Sequence, residues 1–184
     1  MDTKDIIAQG FGIIGLVLFA WSFQEKDNTK LFIKQGLSGF MFFLNYALIG
    51  AAAAALFNIT NLVRALVYAK NTNKKWSLIL IEALYGGCFV FSLFAIWGDW
   101  FQIFLAVITY ISLVATSISM WTGNGKYIRY VQLAIASPAW LIHNIFNFTL
   151  GGIICEIFAM TSVVISFIRY GKDGFEAGKS EVTK

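Results

Sequence analysis

Seven apolar runs, separated by short polar breaks, constrain the fold of this 184-residue chain more than any other feature. A helix needs roughly 20 mostly apolar residues to cross the hydrocarbon core of a bilayer. The first run is unbroken from Ile6 to Phe23, longer than a signal-peptide core, and is therefore kept as a helix. The pattern predicts an all-α membrane protein with seven transmembrane helices, at residues 6–23, 31–50, 52–70, 76–96, 100–121, 127–147 and 151–170.

The basic residues predict the orientation. An odd number of spans puts the two termini on opposite sides, and one side carries a single basic residue, Lys4. The other side carries Lys26, Lys30, Lys34, Lys70, Lys74, Lys75, Lys126, Arg129, Arg169, Lys172, Lys179 and Lys184. Basic loops stay in the cytoplasm. The N-terminus is therefore predicted outside, with the C-terminal tail in the cytoplasm.

Spans one to three and spans five to seven share a layout. A shift of 98 residues superposes them without a gap and matches Phe42 with Trp140, Asn45 with His143 and Asn58 with Glu156. Four spans separate equivalent helices, so the two halves have the same orientation. Parallel repeats of this kind are a transporter architecture with a site between the halves. The predicted segments are a first repeat (1–75), a linker helix (76–98), a second repeat (99–171) and a cytoplasmic tail (172–184).

His143 and Glu156 are ionisable residues inside apolar runs, where such groups are costly and often functional. A turn near Thr149 and Leu150 would bring them to the same depth on neighbouring helices, because each lies six or seven positions from it. One interpretation is a gate or binding pair in a water-filled cavity. The other is an interhelical hydrogen bond that only holds spans six and seven together.

Four further side chains are candidates for the same polar layer. Asn45 and Asn58 mirror each other across a turn near Ala51 and Ala52, and Asn61 lies one helical turn further along. Amides offer donors and an acceptor to a polar ligand, although they also join helices. Trp140 could stack on a ring of a ligand or fill space between helices.

Arg64 and Glu82 each lie six residues from a cytoplasmic helix end, about 9 Å deep at helical rise. An ion pair between them would be structural or part of an inner gate. The alternative is that Arg64 extends its guanidinium to the inner interface.

Other classes of function lack sequence support. Cys88 and Cys155 lie in apolar segments far apart, so a metal motif is not expected. The basic residues lie in the breaks between apolar runs, which indicates orientation rather than nucleic-acid binding. No phosphate loop or nucleophile triad is visible, so neither a cofactor nor an enzymatic activity is expected.

The chain resembles the bacterial inner-membrane YgjV family along essentially its whole length. The residues that carry the resemblance are Ala8-Gln9-Gly10-Phe11-Gly12, Asn61-Leu62-Val63-Arg64 and Trp140-Leu141-Ile142-His143-Asn144, followed by Gly151-Gly152 and Glu156. That family is similar in layout to the PQ-loop and SWEET superfamily of three-plus-one-plus-three transporters. The resemblance implies passage of small solutes by alternating access in a bacterial inner membrane. The chain lacks the Pro-Gln dipeptide and has Pro138 as its single proline.

The sequence therefore predicts a transporter for a small polar solute such as a sugar, nucleoside or vitamin, embedded in membrane lipid. Proton coupling through His143 and Glu156, and self-association, are left open. Two alternatives remain on the same fold. One is a receptor that binds a ligand without carrying it, and the other is an interaction subunit whose polar residues only pack helices.

Overall fold

A computed structural model describes residues 3–49, 52–147 and 150–171. In these ranges the chain is entirely helical apart from short turns. The helices are α1 (Thr3–Ser22), α2 (Asn28–Ile49), α3 (Ala52–Asn71), α4 (Lys75–Ala95), α5 (Trp100–Trp121), α6 and α7 (Leu150–Tyr170). Helix α6 has three segments, Gly125–Val131, a π-helical turn Gln132–Ala136, and Ser137–Phe146. The turns expected near Ala51 and Thr149, and the tail 172–184, lie at or beyond the edges of the described residues.

Polar caps define two of the helix starts. The Asp99 carboxylate accepts hydrogen bonds from the backbone N–H groups of Phe101 and Gln102, at 3.1 and 3.0 Å. The Asn124 side chain does the same for the first turn of α6, and Gly123 before it takes a positive φ of 64°. These caps satisfy N–H groups that have no partner inside the helix, so α5 and α6 begin where the polar breaks predict.

The single proline explains the wide turn in α6. Pro138 has no N–H to donate, and its ring clashes with the carbonyl four residues earlier, so an α-helix cannot pass it unchanged. The helix responds with the π-helical turn directly before Ser137, in which hydrogen bonds span five residues instead of four. The Gln132 amide donates to the Ser137 hydroxyl across this turn at 2.9 Å.

The helices form two sets of three that close into a ring. Helix α2 packs between α1 and α3, and α6 packs between α5 and α7. Contacts between α1 and α7 and between α3 and α5 join the sets, and α4 packs against both α3 and α5. Glycines on α2 permit its close approach to α3, because a Cβ on Gly39 would lie 3.0 Å from the Asn58 carbonyl oxygen.

The outer surface of the ring is apolar. Large side chains such as Ile79, Phe94 and Ile168 are exposed, as expected for a surface that faces lipid. Three described helices, Lys75–Phe94, Trp100–Trp121 and Gly151–Tyr170, are long and apolar enough to cross a membrane, and Ile6–Ser22 is a shorter apolar helix. Helices α2 and α3 are less apolar because they carry polar side chains toward the interior of the ring.

One end of the ring is held together by many polar contacts between connections. We call it the basic end, and it carries the turns 23–27, 72–74 and 122–124 together with the last turn of α7. Asn73 N–H donates to the Trp121 carbonyl at 2.8 Å, and the Trp121 indole donates to the Lys74 carbonyl at 2.9 Å. The Asn28 amide donates to the Gly123 carbonyl at 2.5 Å. These bonds tie the three turns to one another.

Arg129 is the centre of the basic end. Its side chain is fully buried and donates to the carbonyl oxygens of Phe23, Glu25 and Gly125 and to the Ser166 hydroxyl. One guanidinium therefore joins the first turn, α6 and α7. The sequence indicated only that Arg129 marks the basic side of the chain.

Candidate functional site

A cavity of about 410 Å³ lies inside the ring. Side chains from α1, α2, α3, α5, α6 and α7 line it. Its lining runs along α2 from Gln35 to Ile49, roughly 21 Å at helical rise. Gln132 lies at the deep end of the lining, and Gly151 lies at the end opposite the basic end. The cavity therefore extends from the far end of the ring toward the basic end, and none of its lining residues belongs to the turns 23–27, 72–74 and 122–124.

Most of the predicted site residues lie around this cavity. Those that line it are Asn45, Asn58, Asn61, Trp140 and Glu156, and Arg64 lines it as well. They come from α2, α3, α6 and α7, so the fold brings together residues that are far apart in sequence. Their part in binding a solute remains a prediction.

His143 does not line the cavity, and the polar residue of α6 that does so is its neighbour Asn144. The lining residues of α6 are spaced by four, at Gln132, Ala136, Trp140 and Asn144. The π-helical turn keeps Gln132 on the same face as Trp140, because it holds more residues per turn than an α-helix. A stripe with this spacing passes through residue 144, and residue 143 lies about 100° away around the helix.

The expected pair of His143 and Glu156 is not formed. The imidazole lies edge-on to the Trp140 ring, with centroids 5.6 Å apart, and its buried Nδ1 atom has no hydrogen-bond partner. Among the described residues no hydrogen bond or ion pair joins His143 to Glu156. The shared depth of the two residues was not sufficient to predict a contact between them. Depth along a helix does not determine the direction in which a side chain points.

Glu156 is the buried carboxylate of the cavity. It is only 8% exposed, and its Oε2 atom has no hydrogen-bond partner. The Ser137 hydroxyl is a polar neighbour of the carboxyl group. A carboxylate that is nine-tenths buried with an unused oxygen can accept a hydrogen bond from a solute or take up a proton.

Two asparagines on the middle helices lie against glycines of their neighbours. The Asn45 amide donates to the Ala8 carbonyl at 2.6 Å, and a Cβ on Gly12 would lie 3.2 Å from its nitrogen. In the other set, a Cβ on Gly152 would come within 2.5 Å of the Asn144 side chain. Glycine is required at position 152 because the amide occupies the space that a larger side chain would fill.

Asn61 is oriented by a tyrosine from α4. The Tyr85 hydroxyl donates to Asn61 Oδ1 at 2.5 Å. This bond uses one lone pair of the amide oxygen, and the NH₂ group of Asn61 remains available to donate to a solute. Helix α4 does not line the cavity, but it fixes the direction of a side chain that does.

The predicted ion pair between Arg64 and Glu82 is not formed. The two groups are close enough to interact electrostatically. However, the one salt bridge among the described residues joins Lys34 to Glu25. The guanidinium of Arg64 lies over the Tyr85 ring, 5.6 Å from its centroid, and the buried Oε1 atom of Glu82 has no hydrogen-bond partner. Arg64 therefore lies between the Tyr85 ring and the cavity, with Glu82 nearby but beyond ion-pair distance.

The sequence did not single out several polar residues that line the cavity. These are Gln9, Gln35, Thr116, Gln132 and Asn144. The spacing of four from Trp140 could have identified Asn144, Gln132 and the small Ala136 between them. Thr116 carries no such signal, since its hydroxyl also donates to the Ser112 carbonyl within its own helix at 2.8 Å.

The comparisons with known proteins agree with this membrane architecture. The chain matches the Imp-YgjV family, described as bacterial inner membrane protein, over residues 6–173. No curated protein and no solved structure shows significant similarity to it. With the match covering nearly all of the chain, this protein belongs to the Imp-YgjV family of bacterial inner membrane proteins.

Proposed function

We propose that this protein is a transporter that moves a small polar solute across the inner membrane by alternating access. The observation that carries the proposal is the cavity itself. Its volume of about 410 Å³ lies in the range of small-molecule sites, and amides, an arginine and a carboxylate line it. Ionisable groups are costly inside a membrane protein and usually mark a pathway.

The architecture supports a three-plus-one-plus-three arrangement similar to that of SWEET transporters. Each set of three helices has its second helix in the middle, and α4 packs against both sets. In this proposal all seven helices span the membrane, the sets are repeats of the same orientation, and α4 is the linker. A site between two such repeats can be exposed to each side in turn as the repeats move against each other.

The proposed orientation puts the basic end in the cytoplasm and the N-terminus outside. The described basic residues of this end are Lys26, Lys30, Lys34, Lys70, Lys74, Lys75, Lys126, Arg129 and Arg169. The positive-inside rule supports this assignment. The cavity then reaches the outer end, and the hydrogen-bonded turns of the basic end lie on the cytoplasmic side, which supports an outward-facing state.

Flux through proteoliposomes tests the proposal. Vesicles that contain the purified full-length protein would be loaded with a defined mixture of sugars, nucleosides, vitamins and amino acids. Mass spectrometry then measures which solutes leave faster than from protein-free vesicles. We expect selective release of at least one solute, and we expect Glu156→Gln to reduce that release at least tenfold because the substitution removes the charge and the proton-binding carboxyl.

Asp27→Asn is the matched control, since Asp27 is an exposed carboxylate at the basic end. It should leave the release unchanged. If Glu156 carries a proton during transport, an imposed pH gradient will drive release by the native protein and not by Glu156→Gln. Release no faster than from empty vesicles would contradict transport, and a solute that binds without crossing would favour the receptor alternative.

A further inference from the structure

Arg64 presents an unpaired guanidinium to the cavity. The residue is 6% exposed, lines the cavity, and has buried Nε and Nη1 atoms without hydrogen-bond partners. Glu82 does not lie within ion-pair distance of it. A buried guanidinium without an acceptor is unfavourable in a membrane protein. Its planar array of N–H donors matches two oxygens of a carboxylate or phosphate.

Asn61 adds a donor beside the guanidinium. It lies three residues before Arg64, so the two side chains share one face of α3. The Tyr85 hydroxyl donates to the carbonyl oxygen of this amide, and no hydrogen bond among the described residues uses its NH₂ group. The same tyrosine ring lies beneath the Arg64 guanidinium. Tyr85 therefore holds two donor groups on one wall of the cavity.

Asn45 on α2 and Glu156 on α7 provide acceptors to the same cavity. The Asn45 NH₂ group donates to the Ala8 carbonyl, and the amide oxygen remains available to accept a hydrogen bond. Glu156 adds a carboxylate with an unused oxygen. Arg64 lies twelve residues beyond Ala52 at the start of α3, and Glu156 lies six beyond Leu150 at the start of α7. The difference is about 9 Å along the helix axes.

We propose that the cavity binds a solute with an oxyanion at one end and a hydrogen-bond-donating group at the other. The oxyanion, a carboxylate or phosphate, lies deeper and is bound by Arg64 and Asn61. An ammonium or hydroxyl group lies nearer the outer end and donates to Asn45 and Glu156. This inference refines the substrate of the proposed transporter, but it concerns binding and is tested without measuring flux.

Thermal unfolding of the full-length protein in a neutral detergent tests the inference. The probes are inorganic phosphate, 4-aminobutanoate and 6-aminohexanoate, with butanoate and butylamine as compounds that carry one charge. We expect a saturable rise in Tm with the amino acids and a smaller rise with phosphate or butanoate. Butylamine should not raise the Tm, because it has no oxyanion that the Arg64 guanidinium could bind. Arg64→Gln should remove these responses, and Arg64→Lys should keep a weaker one.

The stability of the empty variant separates a binding role from a structural role. If the role of Arg64 is to bind an anion, Arg64→Gln will change the Tm of the ligand-free protein little, because no hydrogen bond or ion pair of Arg64 with the described residues is lost. A structural arginine would instead lower it. Arg169→Gln, which changes an exposed arginine in the last turn of α7, should keep every response of the native protein.

Three results would overturn the inference. The first is an absence of stabilisation by any of these probes at millimolar concentration. The second is an unchanged response in Arg64→Gln. The third is stabilisation by added phosphatidylglycerol and by none of the soluble probes, which would assign Arg64 to a lipid headgroup. Binding of the probes without flux in vesicles would leave this inference standing and contradict only the proposed transport.

Discussion

The two ends of the helix ring differ in how they are held together. At the basic end, hydrogen bonds join the turns 23–27, 72–74 and 122–124, and the buried Arg129 connects them to α7. At the opposite end, a bond of 2.9 Å between the side chains of Gln102 and Asn147 joins α5 to α6 within the described ranges. The cavity extends to this second end. Opening the basic end would therefore require breaking a polar network.

Removing the centre of the network should have the largest effect. Arg129→Gln leaves the carbonyl oxygens of Phe23 and Glu25, in the turn after α1, without their donor. Each buried acceptor without a partner costs about 1–3 kcal/mol, so we expect the free energy of unfolding to fall by about 3 kcal/mol or more. Unfolding in detergent measures this change.

The matched variant is Arg169→Gln, because Arg169 is exposed and has an aromatic contact with Tyr170 in place of a buried network. It should change the free energy of unfolding by about 0.5 kcal/mol or less. Equal losses for the two variants would show that Arg129 does not hold the basic end closed.

A glycine at the cavity wall gives the next largest effect. In Gly152→Ala the new methyl group would meet the Asn144 side chain at 2.5 Å, and overpacking of this kind costs about 1–3 kcal/mol. The adjacent Gly151→Ala has no neighbour within 4 Å and should be nearly neutral. Thermal unfolding of both variants compares them. Similar stabilities would mean that the amide of Asn144 does not lie against α7.

One glutamine at each end makes hydrogen bonds to another helix, so the same substitution can be compared at both ends. Gln24 at the basic end donates to the Ser162 carbonyl at 2.6 Å and to its hydroxyl at 2.9 Å. Gln102 at the opposite end makes the single bond to Asn147. At about 0.5–1.5 kcal/mol for each hydrogen bond, Gln24→Ala should lower the free energy of unfolding more than Gln102→Ala. A larger loss of unfolding free energy for Gln102→Ala than for Gln24→Ala, measured under the same condition, would contradict the difference between the ends.

The helices could be predicted closely from the sequence, since apolar runs and polar breaks determine them. The span predicted at 100–121 is α5 (Trp100–Trp121), and the span predicted at 52–70 is α3 (Ala52–Asn71). Polar groups inside the apolar runs also identified most of the candidate cavity residues. Asn45, Asn58, Asn61, Trp140 and Glu156 all line the cavity.

Side-chain pairing could not be predicted in this way. His143 and Glu156 share a depth, yet the lining stripe of α6 passes through Asn144. That stripe depends on the π-helical turn before Pro138, a local rearrangement that hydrophobic periodicity does not reveal. Arg64 and Glu82 also share a depth, but the Tyr85 ring takes the place beside the guanidinium. Which side chains contact each other depends on how several helices pack together around the cavity.

Cysteine accessibility tests the central claim of the proposed transporter, that its cavity is open at the outer end and closed at the basic end. Thr116 lines the cavity but lies five residues from the end of α5 at Trp121, about 8 Å from the basic end. Thr116→Cys and the exposed Lys74→Cys would each be introduced into a variant in which the native Cys88 and Cys155 are replaced by alanine. A membrane-impermeant thiol reagent would then be applied to vesicles of both orientations. We predict that the two cysteines react from opposite sides of the membrane. Reaction of Thr116→Cys from the same side as Lys74→Cys, or from neither side, would contradict the account.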